Sequence, residues 1–186
     1  MNKTKIIFQE HIDLATETLK SLSKKIDFCS DRILSCLKNK NKIIFFGNGG
    51  SASDAQHLSA EFVGRFLKER EPLPSISLST DTSIITAIAN DYGYENIFER
   101  QIKAIANKGD VLVGISTSGN SLNVIKGFKV AKVMGLETIA LLGNDGGKIV
   151  NIVKNSIVVP SNSTARIQEI HILIGHIFCE YVDDNL

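Results

Sequence analysis

From residue 42 onward, short runs of β-branched and aromatic residues alternate with longer stretches of helical spacing, and this alternation narrows the fold more than any other feature of the chain. The runs are KIIFF (42–46), SISL (75–78), DVLVGIS (110–116), ETIALLG (137–143) and NSIVVP (155–160). They are apolar on both alternating positions, as strands are when helices cover both faces of a sheet. Each gap is long enough for a crossover helix, so the pattern predicts an α/β fold, a doubly wound five-stranded parallel sheet with right-handed connections. Before it, residues 5–38 carry apolar positions at helical spacing, such as Leu22, Ile26, Cys29, Ile33 and Leu37. This segment reads as two N-terminal helices broken near Ser21 to Ser23.

A length of 186 residues, 43% of them hydrophobic, fits a single domain, with residues 1–40 as a helical segment and 41–186 as the α/β core. Lys and Arg number 21 against 20 Asp and Glu, so charge announces neither nucleic acid nor an anionic membrane as partner. The apolar runs fall far short of the ~20 residues that cross a bilayer, and MNKTKIIFQE lacks the apolar core of a signal peptide, which places the chain in the cytoplasm. Cys29, Cys36 and Cys179 contain no CxxC pair and read as reduced, buried thiols.

In open α/β sheets ligands bind outside the carboxyl ends of the strands, which directs attention to the loops that begin at Gly47, Ser79, Ser116 and Gly143. The first loop, FFGNGGSASDA, matches a loose dinucleotide fingerprint through Gly47, Gly49 and Ala52. That fingerprint calls for an acidic residue about 20 positions further on. The first at a strand end is Asp81, 34 residues after Gly47, and nicotinamide binding is set aside. Gly49 and Gly50 followed by Ser51 and Ser53 instead form a nest of N–H groups and hydroxyls suited to a polyhydroxylated ligand. The third strand ends in ISTSGNSLN, where Ser116, Thr117, Ser118 and Ser121 crowd around Gly119 at the start of a helix running to Met134. One hydroxyl would suffice for a cap. Four of them beside free N–H groups and the positive helix end suit a phosphate monoester, with no Walker lysine.

His57 and Glu61 stand four residues apart on one helical face and could grip one metal ion from a single helix, the alternative being an ordinary solvent-facing pair. The final helix, read as 164–182, contains RIQEIHILIGHIF with Gln168, Glu169, His171 and His176. Residues turn ~100° per step, so the two histidines point ~140° apart and only one can serve the site; Gln168 lies within ~80° of either, and periodicity does not choose.

The segments FGNGGSASDAQHLSAEFVGRF, ANDYGYENIFERQI, GDVLVGISTSGNSLNVIKG and STARIQEIHILIGHIFCEYV together resemble the bacterial phosphoheptose isomerases of the sugar-isomerase (SIS) domain superfamily. The likeness extends over nearly the whole chain. The GNGGSA and STSGNS loops mark the superfamily, while His57 and Glu61 with Gln168 and His176 are more specific. The resemblance implies an aldose–ketose isomerase that converts sedoheptulose 7-phosphate to D-glycero-D-manno-heptose 7-phosphate through an enediol, for lipopolysaccharide or capsule. It implies Glu61 and His176 as catalytic residues, His171 as non-catalytic, and one zinc per subunit at His57, Glu61, Gln168 and His176, with no nucleotide cofactor. Substrate contacts are implied at Asn48, Gly49, Gly50, Ser51, Glu61, Asn90, Asp91, Ser116, Thr117, Ser118, Ser121 and Gln168. The family's homotetramer, with active sites between subunits, implies an assembly role for the N-terminal segment.

Two other functions share the fold. A non-catalytic protein-binding module resembling the replication-initiator-associating proteins would have no need of a carboxylate and histidine facing a phosphate pocket. A sugar-phosphate sensor would carry a DNA-binding domain, and the ~40 residues before the first strand show no helix-turn-helix with a linker.

Overall fold

The computed structural model describes residues 2–186. Five parallel strands form one sheet: β1 (Ile43–Gly47), β2 (Ser75–Ser77), β3 (Val111–Ser116), β4 (Glu137–Leu142) and β5 (Asn155–Val158), in the order β2-β1-β3-β4-β5. The six helices are α1 (Lys3–Lys38), α2 (Gly50–Val63), α3 (Thr82–Tyr92), α4 (Ile97–Ile105), α5 (Leu122–Val133) and α6 (Thr164–Asn185).

Strand parity divides the core in two. Ile43, Phe45, Val111, Val113, Ile115, Ile139 and Leu141 point to one face and pack with α1, α2 and α6. Ile44, Phe46, Leu112, Ala140 and Leu142 point to the other and pack with α4 and α5, where Phe46 meets Phe98 and Phe128 at ring centroids 5.3 and 5.2 Å apart. Both faces being covered explains why these strands read as continuous apolar runs rather than alternating ones. The edge strand β2 departs from this, with only Ser77 buried and Ile76 exposed.

Two expectations need correction. The N-terminal segment is one 36-residue helix rather than two. Ser21, expected at a break, stays helical and turns its hydroxyl back to the carbonyl of Glu17 at 2.8 Å. The segment has no Gly or Pro, and serine satisfied by the carbonyl four residues earlier bends a helix without ending it. Between β4 and β5 the crossover holds only a 3₁₀ turn at Ile149–Asn151, and buried Ile149 and Val153 pack it onto the sheet in place of a helix.

Cys29, Cys36 and Cys179 are free and buried, and burial pushes their thiols up to about 12, 11 and 12 respectively, which leaves them unreactive. Among the described residues, no helix is long and apolar enough to cross a membrane.

Candidate active site

From β1 the chain moves to β2 on one side, and from β3 to β4 on the other. The crevice therefore opens between the carboxyl ends of β1 and β3, where neighbouring strands send their connections in opposite directions. Gly47 pairs with Ile115 there, which sets the 47–50 turn beside the 116–121 turn.

At the first turn Gly49 takes φ +56 and caps α2 without a side-chain bond, leaving the helix start exposed. A Cβ added at Gly50 would lie 2.3 Å from Nε2 of Gln168, so α6 approaches the α2 N-terminus with this amide. Ser51 sits beneath this turn, buried, its Cβ close against Gly47.

At the second turn Ser121 is the N-cap of α5 yet makes no capping bond with its side chain. Its hydroxyl is instead 3.3 Å from that of Ser116. Thr117 holds its carbonyl toward Asn144, whose Nδ2 donates to it at 2.9 Å. Ser118 is exposed and accepts from the N–H of Asn120 at 3.2 Å. Gly119 takes φ +64 and packs so closely on the 143–148 loop that a Cβ would fall 2.0 Å from the carbonyl oxygen of Gly146. The hydroxyls expected at an anion site are thus gathered at a helix N-terminus, with the turn braced from behind.

The residues expected to act as acid and base come from α2 and α6. Nε2 of His57 lies 2.9 Å from Nε2 of His176 and 3.3 Å from Oε1 of Glu61. Two residues separated by 115 positions, Glu61 and His176, therefore meet at one imidazole. Phe66 closes the other flank of His176, ring centroids 5.3 Å apart. The His176 imidazole is held below its ordinary pKa, by partial burial first and by His57 second, against the opposing pull of Glu61. His57 has a side chain 47% exposed, so one side of this cluster faces outward in the single chain.

The other histidine of α6 behaves differently. His171 is fully buried and donates from Nε2 to the carbonyl of Leu142 at 2.9 Å. Burial drives its pKa down to about 4, so it is a neutral core residue. Packing thus decides between the two histidines that periodicity left open.

Asn90 and Asp91 stand at the exposed end of α3, a helix with no buried residue, and bond to each other at 2.8 Å. A few residues on, the Tyr94 hydroxyl donates to Oδ1 of Asn48 at 3.1 Å.

The donors expected to hold zinc are of the right kinds: two imidazole nitrogens, a carboxylate and an amide oxygen. His176 and Glu61 each meet His57 in a pair, Gln168 lies against Gly50, and among the described residues no set of three or more His, Cys, Asp or Glu side chains is arranged to hold a metal ion. Two nitrogens on one tetrahedral zinc stand about 3.3 Å apart, so the 2.9 Å His57–His176 pair fits the ion after opening by a few tenths of an ångström.

Several residues escaped the sequence reading. Arg70 ties α2 to α6: its guanidinium donates to the carbonyls of Glu61 and Phe62, each at 2.9 Å, and from Nε to Asp183 at 2.7 Å. Asn123, second residue of α5, pairs its amide with that of Asn48. Its place directly after the serine-rich turn was the available signal; nothing local marked Arg70, Asp183 or Phe66.

A helix-flanked parallel sheet with glycine- and hydroxyl-rich turns at its carboxyl edge defines the class, and residues 8–143 match the family model for the SIS domain. The chain is 51% identical over 184 residues to a phosphoheptose isomerase of Aquifex aeolicus, covering 99% of this chain and 96% of that one. Among solved structures, the phosphoheptose isomerase GmhA from Neisseria gonorrhoeae superposes with a TM-score of 0.92 at 45% identity, covering 98% of this chain and 97% of that one. That from Francisella tularensis gives 0.95 at 36% identity, covering 99% and 98%. The chain belongs to the phosphoheptose isomerase family of SIS-domain proteins.

Proposed function

We infer that this chain isomerises sedoheptulose 7-phosphate to D-glycero-D-manno-heptose 7-phosphate. The observation that carries this reading is the meeting of Glu61 and His176 at His57, on the same sheet edge as the hydroxyl-lined start of α5. A 2-ketose becomes an aldose when a proton leaves C1, an enediol forms, and a proton returns to C2. Glu61 is the base that moves the proton between the two carbons, and His176 exchanges protons with the oxygens, each worth roughly 10²–10⁴-fold. Asn48, Gly49, Gly50, Ser51 and Gln168 orient the sugar end, and Ser116, Thr117, Ser118 and Ser121 hold the phosphate. Zinc held by His57, Glu61, Gln168 and His176 would supply Lewis-acid polarisation of the carbonyl.

The working unit is a homotetramer with its sites between subunits. Supporting this, α1 exposes Phe8, Ile12 and Leu19 along one face, α3 lies unburied beside the site with Asn90 and Asp91, and the His57 side is open. A neighbouring copy would cover these surfaces. The reaction belongs in the cytoplasm and feeds heptose to lipopolysaccharide or capsule.

The direct test is incubation of the purified protein with sedoheptulose 7-phosphate and detection of the aldose. Absence of product at adequate protein and zinc concentrations refutes the reading. Glu61→Gln should still bind substrate while losing turnover by at least about 10²-fold; near-normal kcat would remove Glu61 from its role.

A further inference from the structure

We propose that Asn123 and Tyr94 are positioning residues that lock the Asn48 amide so that it presents an N–H, and never its carbonyl, to the ligand. The inference rests on the functional reading above and adds to it the polarity of one contact.

The lock follows from a chain of hydrogen bonds with one fixed end. Val124, in the first turn of α5, has a backbone N–H that can only donate, and it points at Asn123 Oδ1 at 2.9 Å. That identifies the oxygen of the Asn123 amide. Nδ2 of Asn123 then donates to Oδ1 of Asn48 at 2.8 Å, and Nδ2 of Asn48 donates back to Oδ1 of Asn123 at 2.8 Å. The Tyr94 hydroxyl supplies a second donor to Asn48 Oδ1 at 3.1 Å. Both lone pairs of that oxygen are now used, and one N–H of Asn48 is left for a ligand. Turning the Asn48 amide over would set its N–H groups against those of Asn123 and its oxygen against the Asn123 oxygen.

Burial makes the arrangement costly to break. Asn123 is 3% exposed, so its amide has no water to turn to, whereas Asn48 is half-buried and reachable. The three residues belong to different segments: the turn after β1, the start of α5 that follows the phosphate turn, and the 3₁₀ turn Tyr94–Asn96 that follows α3. The amide pair therefore also fixes the spacing of the two turns that must grip opposite ends of one sugar phosphate. The remaining N–H suits a carbonyl, enediolate or hydroxyl oxygen that accepts.

Asn123→Asp keeps the acceptor for Val124 but has no N–H for Asn48, and Tyr94→Phe removes only the hydroxyl. With sedoheptulose 7-phosphate as substrate, Asn123→Asp should lower kcat/KM by about 10- to 100-fold, mostly in kcat, and Tyr94→Phe by about 3- to 10-fold. In an Asn48→Ala background each should add less than about twofold, because both act through Asn48. Single variants at wild-type kcat/KM would overturn the proposal, as would full-sized effects that persist in the Asn48→Ala background, which would mark a merely structural role. The side-chain amide resonances of asparagine-labelled protein give a readout free of turnover: those of Asn48 should shift in both variants, and unmoved signals refute the lock. A wild-type protein that converts no substrate defeats the functional reading alone, while the resonances still decide whether Asn48 is held.

Discussion

Replacing Asp183 with alanine removes the counter-ion that joins the two helices bearing the acid–base residues. Its carboxylate accepts from Arg70 Nε at 2.7 Å and from the backbone N–H groups of Leu67 and Lys68 at 2.8 and 3.0 Å. The Asp183 side chain is 1% exposed and that of Arg70 12%. Stranding a buried guanidinium in this way costs about 3–5 kcal/mol; water can reach Leu67 and Lys68, which are exposed, so the lower end, about 3 kcal/mol, is expected. Urea unfolding at fixed protein concentration should show that loss, with Tm lower by about 6–12 °C. Arg70 also donates to the carbonyls of Glu61 and Phe62, so slack at Asp183 reaches the last turn of α2, and kcat/KM should fall along with stability. Asp183→Asn retains an acceptor for the two N–H groups and should lose about half as much. A change under about 1 kcal/mol in Asp183→Ala would show that the ion pair does not hold α2 to α6.

The same pair makes a pH prediction. Burial would raise the Asp183 carboxyl, but Arg70 and the N–H groups of Lys68 and Leu67 outweigh it and hold the carboxyl below its ordinary value. Its stabilisation is therefore present above about pH 4 and is lost as pH falls through the lowered pKa, and Asp183→Asn should show a shallower acid limb. His171, held neutral with a pKa near 4, makes the unfolded chain the better proton acceptor below about pH 6.5. Stability should drop there by up to about 1.4 kcal/mol per pH unit, and a His171→Leu protein whose pH slope matches wild type would contradict this. Gly119→Ala meets both a positive φ and the Gly146 carbonyl, and should cost about 2–4 kcal/mol and raise KM for the sugar phosphate more than about tenfold; normal kinetics would show that the turn yields. Leu19→Glu on the exposed face of α1 should shift the proposed tetramer to smaller species in sedimentation, and a mass equal to wild type would move the interface elsewhere.

Much of the architecture was legible because it follows from local periodicity. Apolar runs covered on both faces announced a parallel sheet, and the spacing of His57 and Glu61 placed them on one helical face. The errors were also local in origin. Serines near residue 21 resembled a helix break, yet a hydroxyl can bond back to its own helix, and only the packing of a continuous apolar face against the core shows that it does so. The β4–β5 gap looked long enough for a helix and holds a single 3₁₀ turn.

Local order along the chain specifies the set of chemical groups: hydroxyl-rich turns at strand ends, an imidazole and carboxylate one helical turn apart, and two histidines on a final helix. Which histidine serves the site was decided by the tertiary structure, which turns His171 to the Leu142 carbonyl and His176 to His57. The Arg70–Asp183 clamp and the amide pair of Asn48 and Asn123 belong to the same category. Their partners lie 113 and 75 positions apart, and no local period encodes such a meeting; it arises only when strand order and helix packing bring the segments together.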